Sequence, residues 1–277
     1  MRSHVVAWLA RWFPPAVAQA LAPTWFTMVG LAGLVSLWVM LRHARRDGHD
    51  PAAVATAAVA GYLAAVTAGI AVPALIQLVQ DYVTDGRLHL AFAGMTSFWG
   101  YTAGALALAA VCRGGAPPLG WMVDRATPVM GVSLALVRTG CFLAGCDYGQ
   151  ISSVPWAVRF PRGTGAWRDH VAHGLLPATR DVSLPVHPTQ LYEAALGLAI
   201  AVAAWAHNRR GRIGDGRVFL AAAATYAAAR LGIENLRGDE TRGVYAGLSS
   251  GQLYALAVLA AIGGAVALRA RRRTMMP

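Results

Sequence analysis

The sequence contains no lysine, so all 24 of its basic residues are arginine. Charged residues make up only 13% of the 277 residues, whereas hydrophobic residues make up 56%. Soluble domains carry about 25% charged residues. Together with a mean hydropathy of +0.46, this scarcity of charge excludes an ordinary soluble domain and indicates an integral membrane protein.

Cysteine is also scarce, because Cys112, Cys141 and Cys146 are the only three in the sequence. Three cysteines exclude a disulfide framework. Cys141 and Cys146 either pair in an oxidising compartment, remain free, or simply pack as small residues beside neighbouring glycines. We expect no metal site and no cofactor.

The net charge of the chain is +11, which indicates positively charged cytoplasmic loops that contact anionic lipid. We expect no nucleic-acid partner, since no basic patch is interleaved with aromatic residues for base stacking.

Seven stretches are long and apolar enough to approach the roughly 20 residues that a helix needs to cross a bilayer. We predict membrane-spanning helices at 25–41, 53–79, 97–112, 120–146, 188–206, 217–235 and 251–268. Several arginines follow the first, fifth and seventh of them, and Arg113 and Arg125 flank the loop after the third. Seven spans place all four loops on one side, so the positive-inside rule predicts a periplasmic N-terminus and a cytoplasmic C-terminus. The expected location is the bacterial inner membrane.

The predicted fold class is therefore an all-α integral membrane protein with about seven transmembrane helices and a small periplasmic head. Residues 1–22, with a Pro14-Pro15 break, read as an interfacial helix, and 269–277 as a basic cytoplasmic tail. Residues 23–268 form the transmembrane domain, which includes the head at 147–187. The prolines and aromatic residues of that segment favour a folded structure over a low-complexity linker.

Several predicted spans carry charged residues near their outer ends. Arg230 and Glu234 are four residues apart and share a helix face with Arg237, while Arg138 and Glu193 lie in two other spans. Such charges are costly in hydrocarbon unless they are paired or face water. They are either structural ion pairs and snorkelling arginines, or they converge on one polar cavity. A phosphate would suit that cavity, since the guanidinium fork matches its oxygens.

The segment His187-Pro188-Thr189-Gln190-Leu191-Tyr192-Glu193 opens the fifth predicted span. Pro188 suits the first helical turn, and Gln190 and Tyr192 place hydrogen-bonding groups at the membrane surface. His187 is the best-placed candidate general base, with His89 second.

These residues resemble the prolipoprotein diacylglyceryl transferase family. Residues 185–193 (PVHPTQLYE) are similar to its P-x-H-P-[ST]-Q-L-Y-E, and 154–161 (VPWAVRFP) to its L-P-W-x-x-x-F-P. Residues 230–237 (RLGIENLR) are similar to R-x-x-x-E-x-x-R, and 250–253 (SGQL) to S-x-G-Q. The signature G-R-x-G-N-F-x-N-x-E-x-x-G is matched at Arg138, Gly140, Phe142 and Gly149.

The resemblance implies an enzyme that moves the diacylglyceryl group of phosphatidylglycerol to the lipobox cysteine of an exported lipoprotein precursor and releases glycerol phosphate. It implies catalytic roles for His187, Arg138 and Arg230, with both arginines on the lipid phosphate. The implied substrate-binding residues are Arg138, Arg230, Glu234, Arg237, Gln190, Tyr192, Glu193, Gly140, Cys141 and Cys146.

The sequence also departs from the family pattern, so we interpret it as a divergent member. Cys141 and Cys146 stand where the family signature has asparagine and glutamate. In a separate family segment, S-F-H-G-G-L, Trp99 stands in place of the histidine that is proposed as the base. Two alternatives therefore stay open: a related phospholipid-dependent transferase with a different acceptor, and an inactive membrane protein that binds lipid or lipoprotein.

Overall fold

The structure is a computed structural model that describes residues 2–17, 24–88, 97–113, 117–211, 214–239 and 244–274. Its helices are α1 (Arg2–Leu9), α2 (Trp25–Asp47), α3 (Pro51–Asp85), α4 (Ser97–Arg113), α5 (Leu119–Ala144), α6 (Gly165–Ala172), α7 (Thr189–Asn208), α8 (Arg217–Glu234) and α9 (Ser250–Thr274). Strands β1 (Val244–Tyr245) and β2 (Leu248–Ser249) pair antiparallel immediately before α9.

Each predicted span coincides with one of the long helices, and five of these are long and apolar enough to cross a membrane: α2, α3, α5, α7 and the Ser250–Leu268 part of α9. The prediction of an all-α membrane protein is confirmed at this level. Helix α4 is shorter, with 17 residues, and α8 carries Arg217, Arg230 and Glu234 within 18 residues.

Capping residues set the helix ends. The Asp50 carboxylate accepts hydrogen bonds from the backbone N–H groups of Ala52 and Ala53, and Pro51 takes the first helical position of α3, where its missing N–H does no harm. Gly86 ends the same helix in the left-handed conformation with φ of 64°. The helix consequently runs from 51 to 85, beyond both predicted ends at 53 and 79.

The chain forms two compact units. The second unit comprises residues 35–126 and 211–217. Its core packs Met40, Ala44, Val54, Ala57, Trp121 and Met122. Asp47 accepts hydrogen bonds from Trp121 Nε1 at 3.0 Å and Arg125 Nε at 2.7 Å, so a carboxylate at the end of α2 fixes the start of α5.

The first unit comprises residues 1–34, 127–210 and 218–277. Within it, α5 and α7 meet at two glycines. A Cβ on Gly131 would lie 2.5 Å from the Gly197 carbonyl oxygen, and a Cβ on Gly197 would lie 2.6 Å from that of Gly131. Small residues permit this close backbone approach between membrane helices.

The segment predicted as the head also lies in the first unit. Its small core contains Tyr148, Phe160, Ala166 and Val186. Isolated backbone bridges link Gly149 to Arg237, Val186 to both Ile151 and Val158, and Pro161 to Val182. The Gly149–Arg237 bridge is the one that matters for the site, because it joins the residues following α5 to those following α8.

Candidate active site

Glu193, in the first turns of α7, is the centre of a buried polar cluster in the first unit. Its side chain is fully buried, forms an ion pair with Arg138 Nη2 at 2.9 Å and accepts a hydrogen bond from the Tyr226 hydroxyl at 3.0 Å. Arg230 Nη1 is in close contact with the same carboxylate, and Arg237 Nη1 lies 3.8 Å away. One carboxylate therefore faces three arginines that come from α5, α8 and the segment after α8.

Asp147 makes a second bridge across the cluster. Its carboxylate accepts from Arg138 Nη1 at 3.0 Å and from Arg237 Nη2 at 2.5 Å. The backbone of Asp147 is left-handed, with φ of 58°, a conformation that aspartate tolerates better than most residues. Its carbonyl oxygen accepts from the Thr189 hydroxyl at 2.7 Å. The start of α7 thus fixes the turn that carries Asp147.

Two further carboxylates complete the cluster. Glu234 contacts Arg230 Nη2 at 2.7 Å and accepts from the Ser249 hydroxyl at 2.9 Å, while Asp239 contacts Arg237 Nη2 at 2.6 Å. A Cβ on Gly251 would lie 2.9 Å from the Glu234 carboxylate. Glycine at this position is what lets the start of α9 close over that side chain.

Charges in the cluster nearly balance, since three arginines face four carboxylates. All three arginines are buried, with 7–8% of their surface exposed. Burial by itself lowers the pKa of Arg237, but Asp147 and Asp239 raise it above its usual value. Isolated charges at such depth would cost several kcal/mol each, so these pairs make the burial of the arginines possible.

The pairing is incomplete in two places. Arg138 Nε and Arg237 Nη1 are buried donors without a hydrogen-bond partner among the described residues. An unsatisfied buried donor costs about 1–3 kcal/mol. Both belong to the two arginines that share Asp147. An incoming anion could satisfy them.

The structure brings together five residues that the sequence placed in the site: Arg138, Glu193, Arg230, Glu234 and Arg237. The arginines form ion pairs with carboxylates, which is one of the two alternatives that the sequence left open, beside a polar cavity suited to a phosphate. Asp147 and Asp239 were not predicted as site residues, because both lie outside the predicted helices.

The remaining predicted residues surround the cluster. Gln190 is fully buried and donates from Nε2 to the Cys146 carbonyl at 2.6 Å. Gly140 packs against Trp25 and Met28, which a Cβ would approach to 3.3 Å. Cys141 is buried and Cys146 is exposed.

His187 stands apart from the arginines in its bonding. Its Nδ1 lies 3.1 Å from the Tyr192 hydroxyl, which in turn accepts from Trp156 Nε1 at 2.7 Å. The other candidate base, His89, lies outside the described residues.

Three contributors were not predicted as site residues: Tyr226, Asp239 and Asp147. Tyr226 lies four residues before Arg230, on the same face of α8, and Asp239 follows Arg237 by two residues. Asp147 directly follows the α5 stretch that contains Arg138. Its role arises from the contact with Arg237, 90 residues away.

The helices and the cluster together define an integral membrane protein with a built, charge-paired site where α5 and α8 end and α7 begins. The sequence profile described as prolipoprotein diacylglyceryl transferase matches residues 16–268. The chain belongs to that family, as its motifs indicated.

Relatives agree with this assignment. The phosphatidylglycerol–prolipoprotein diacylglyceryl transferase of Corynebacterium diphtheriae is 28% identical over 276 residues, which cover 95% of each chain. The enzyme of the same name from Corynebacterium efficiens is 30% identical over 231 residues, covering 79% of this chain and 70% of the relative. That of Rhodococcus jostii is 35% identical over 144 residues, covering 49% of this chain and 40% of the relative.

Proposed function

We propose that this chain transfers the diacylglyceryl group of phosphatidylglycerol to the cysteine thiol of an exported lipoprotein precursor, with release of glycerol phosphate. In this reaction the thiol sulfur forms a bond to the diacylglyceryl carbon, and the bond from that carbon to the phosphate oxygen breaks. The family assignment and the names of the relatives support the reaction. The observation that carries the site is the pair of unsatisfied guanidinium donors on Arg138 and Arg237.

The phosphate is the group on which charge accumulates. Phosphatidylglycerol is a phosphodiester, whereas the leaving glycerol phosphate is a monoester that takes up the bonding electron pair. Donors already oriented toward such a group stabilise the transition state more than the ground state. Arg138 Nε and Arg237 Nη1 supply these donors. Arg230, whose terminal nitrogens both contact carboxylates, holds Glu193 and thereby positions the other two arginines.

The thiolate is the nucleophile, and an ordinary cysteine pKa of about 8.5 means that modest help suffices to form it. His187 is the proposed base. In the tautomer that donates from Nδ1 to Tyr192, the Nε2 atom is free to accept the thiol proton. Tyr192, which Trp156 also contacts, would orient the imidazole for this transfer.

The proposal includes the finer topology. α4 and α8 join the five apolar helices as spans, giving seven, with the N-terminus periplasmic and the C-terminus cytoplasmic in the inner membrane. The arginines in the last turns of α2 and α4, those that follow α7 and those at the end of α9 support this orientation. Residues 147–187 then form the periplasmic head, on the side where an exported precursor arrives.

The test uses proteoliposomes with phosphatidylglycerol labelled in an acyl chain and a peptide that carries a lipobox cysteine. We expect Arg138→Ala to lower transfer by about 10²–10³-fold, the usual effect of losing one electrostatic donor. Arg210→Ala is the control, because Arg210 is exposed at the end of α7, and it should leave transfer unchanged. Since Arg138 also makes buried ion pairs and its loss should lower stability, each variant is assayed under conditions in which its unfolding curve in detergent shows it to be folded.

If a folded Arg138→Ala protein kept full turnover, the role of Arg138 on the phosphate would be wrong. Release of glycerol phosphate without peptide labelling would support a different acceptor. Bound lipid with neither product would point to an inactive binding protein.

A further inference from the structure

Cys141 and Cys146 occupy two defined positions of the motif that ends α5. The backbone N–H of Gly145 donates to the carbonyls of Cys141 and Phe142 at 2.8 and 3.2 Å, and that of Cys146 donates to the Cys141 carbonyl at 3.2 Å. Gly145 is left-handed, with φ of 74°. This is a Schellman motif with Ala144 as its C-cap residue and Gly145 directly after it. The motif brings the side chain three residues before the C-cap, Cys141, into contact with the side chain two residues beyond it, Cys146. Here both side chains are cysteines.

The turn has little freedom to adopt another shape. A Cβ on Gly145 would lie 2.6 Å from the Thr164 side chain, so no other residue fits at the cap. On the far side, Gln190 Nε2 holds the Cys146 carbonyl at 2.6 Å and Thr189 holds that of Asp147. The two sulfurs are therefore kept together by backbone bonds rather than by chance proximity.

The chemistry of the two thiols differs in a useful way. Each sulfur lies within 4.8 Å of the other and of an Asp147 carboxylate oxygen. Cys146 is exposed, whereas Cys141 is buried behind it. A hydrogen bond with Cys141 lowers the pKa of the Cys146 thiol, and Arg138 acts in the same direction. An exposed thiol of lowered pKa, with a second thiol beside it, is the arrangement that undergoes disulfide exchange.

A metal ion is a poorer occupant of the same place. Asp147 already holds Arg138 and Arg237 with its two oxygens, and those guanidinium groups repel a cation. Two sulfurs and this one carboxylate also fall short of the four ligands of a structural zinc site. A disulfide is neutral, so it does not compete with Arg138 and Arg237 for the oxygens of Asp147.

We propose that Cys141 and Cys146 form a reversible disulfide that controls the Arg138–Asp147–Arg237 bridge of the active site. Cys146 attacks a disulfide of an exported thiol oxidoreductase or a small-molecule disulfide, which expels one thiol and leaves a mixed disulfide. Cys141 then displaces the second thiol. Two protein thiols become one disulfide, and the oxidant's disulfide becomes two thiols. The proposal rests on the proposed periplasmic position of this turn, since cytoplasmic thiols are kept reduced.

Closing the bond alters the turn that carries Asp147. The sulfurs must approach to about 2.05 Å, and Asp147 is the residue immediately after Cys146. Its contacts with Arg138 and Arg237 tolerate little displacement, and a misplacement of about 1 Å in an active site can cost about 10²-fold in rate. Oxidation should therefore lower diacylglyceryl transfer by about 10–100-fold, and a dithiol reductant should restore it.

The first measurement counts thiols. The protein in detergent is treated with glutathione disulfide or with dithiothreitol and freed of that reagent. It is then denatured, because Cys141 is buried, alkylated with iodoacetamide and analysed by mass spectrometry. We expect three alkylated cysteines in the reduced protein and one, Cys112, in the oxidised protein. The Cys146→Ser variant should show the same two alkylated cysteines in both states. Three alkylated cysteines after oxidation, or protection only by added Zn²⁺ that a chelator reverses, would overturn the pairing.

The second measurement compares the transfer rates of oxidised and reduced protein. Cys112→Ser retains the pair and should keep the reversible response, whereas Cys146→Ser should lose it. An unchanged rate in protein shown to be oxidised would overturn the control of the site. If neither state transferred the label, the proposed function would fail, while the thiol count and a redox-dependent unfolding midpoint would still decide whether the disulfide forms.

Discussion

Replacing Glu193 by glutamine is the sharpest test of how the cluster is held together. The side chain keeps its size and loses only its charge. In the folded protein this carboxylate contacts Arg138 and Arg230 and accepts from Tyr226, and no part of it reaches solvent. After substitution, the two guanidinium groups face a neutral carbonyl and an amide N–H₂ that can only donate.

The expected loss follows from leaving buried charges without their partner. Removing one member of a buried ion pair typically costs about 3–5 kcal/mol, and a mismatched donor adds about 1–3 kcal/mol. Because Asp147 still compensates Arg138 and Glu234 still compensates Arg230, we expect the lower range, about 3–5 kcal/mol. That is a large part of the roughly 5–15 kcal/mol that usually separates folded from unfolded protein.

The measurement is equilibrium unfolding in mixed micelles of a mild detergent and dodecyl sulfate, followed by tryptophan fluorescence. The matched control is Asp215→Asn, which removes the same charge from the Arg217–Asp215 pair. That pair has 66% and 54% of its side-chain surface exposed, so its loss should change the free energy of unfolding by no more than about 0.5–1 kcal/mol. A loss below about 1 kcal/mol for Glu193→Gln, or one equal to that of the control, would refute the view that this carboxylate stabilises the cluster.

Three further predictions concern packing, the candidate base and pH. Gly131→Ala should destabilise the protein by about 1–3 kcal/mol, because its Cβ would lie 2.5 Å from the backbone of α7. Gly30→Ala is the control and should be neutral or slightly stabilising, since its Cβ would have no neighbour within 4 Å among the described residues. Unfolding in micelles compares the free energies of the two variants. Tyr192→Phe should lower transfer by about tenfold and shift its pH profile, since the hydroxyl that orients the imidazole is lost; an unchanged profile would argue against that base. Burial lowers the pKa of His170, so as the pH falls this histidine is protonated in the unfolded state at a higher pH than in the folded state. The free energy of unfolding should therefore decrease below about pH 6.5. His170→Gln should reduce this dependence on pH, and an unchanged dependence would contradict the role of His170.

The helices could be predicted because hydropathy and length decide them. Predicted span 217–235 and observed α8 (Arg217–Glu234) differ by one residue. For α3 the prediction ended at 79, whereas the helix continues to Asp85. Hydropathy falls after residue 79, but the helical hydrogen bonds continue until Gly86 adopts φ of 64°. A prediction from hydropathy gives the end of the apolar stretch and not the end of the helix.

Charged residues inside or next to predicted spans could be assigned to the candidate site from the sequence, but their contacts could be predicted only where they share a helix. Arg230 and Glu234 are four residues apart, so helical geometry alone places them together, and the structure gives their contact as 2.7 Å. Asp147 lies in no predicted helix, and its contact with Arg237 spans 90 positions. Its position depends on the Schellman turn after α5, on Thr189 and on the backbone bridge between Gly149 and Arg237. No local pattern in the sequence contains all of these.

The balance of charge bears directly on how a phosphate would bind. An anion cannot simply fill an arginine cavity here, because each guanidinium already contacts a carboxylate. The carboxylates are not equally held, however: the Asp147 side chain is 23% exposed, compared with 1% for Glu193, 3% for Glu234 and 7% for Asp239. Asp147 is also the carboxylate shared by the two arginines that retain unsatisfied donors. A lipid phosphate would therefore gain most by taking the place of Asp147, since it offers more oxygens to the same two guanidinium groups. On this view, Asp147 occupies the position on Arg138 and Arg237 that a lipid phosphate would take, and the turn that carries Asp147 determines how readily this carboxylate is displaced.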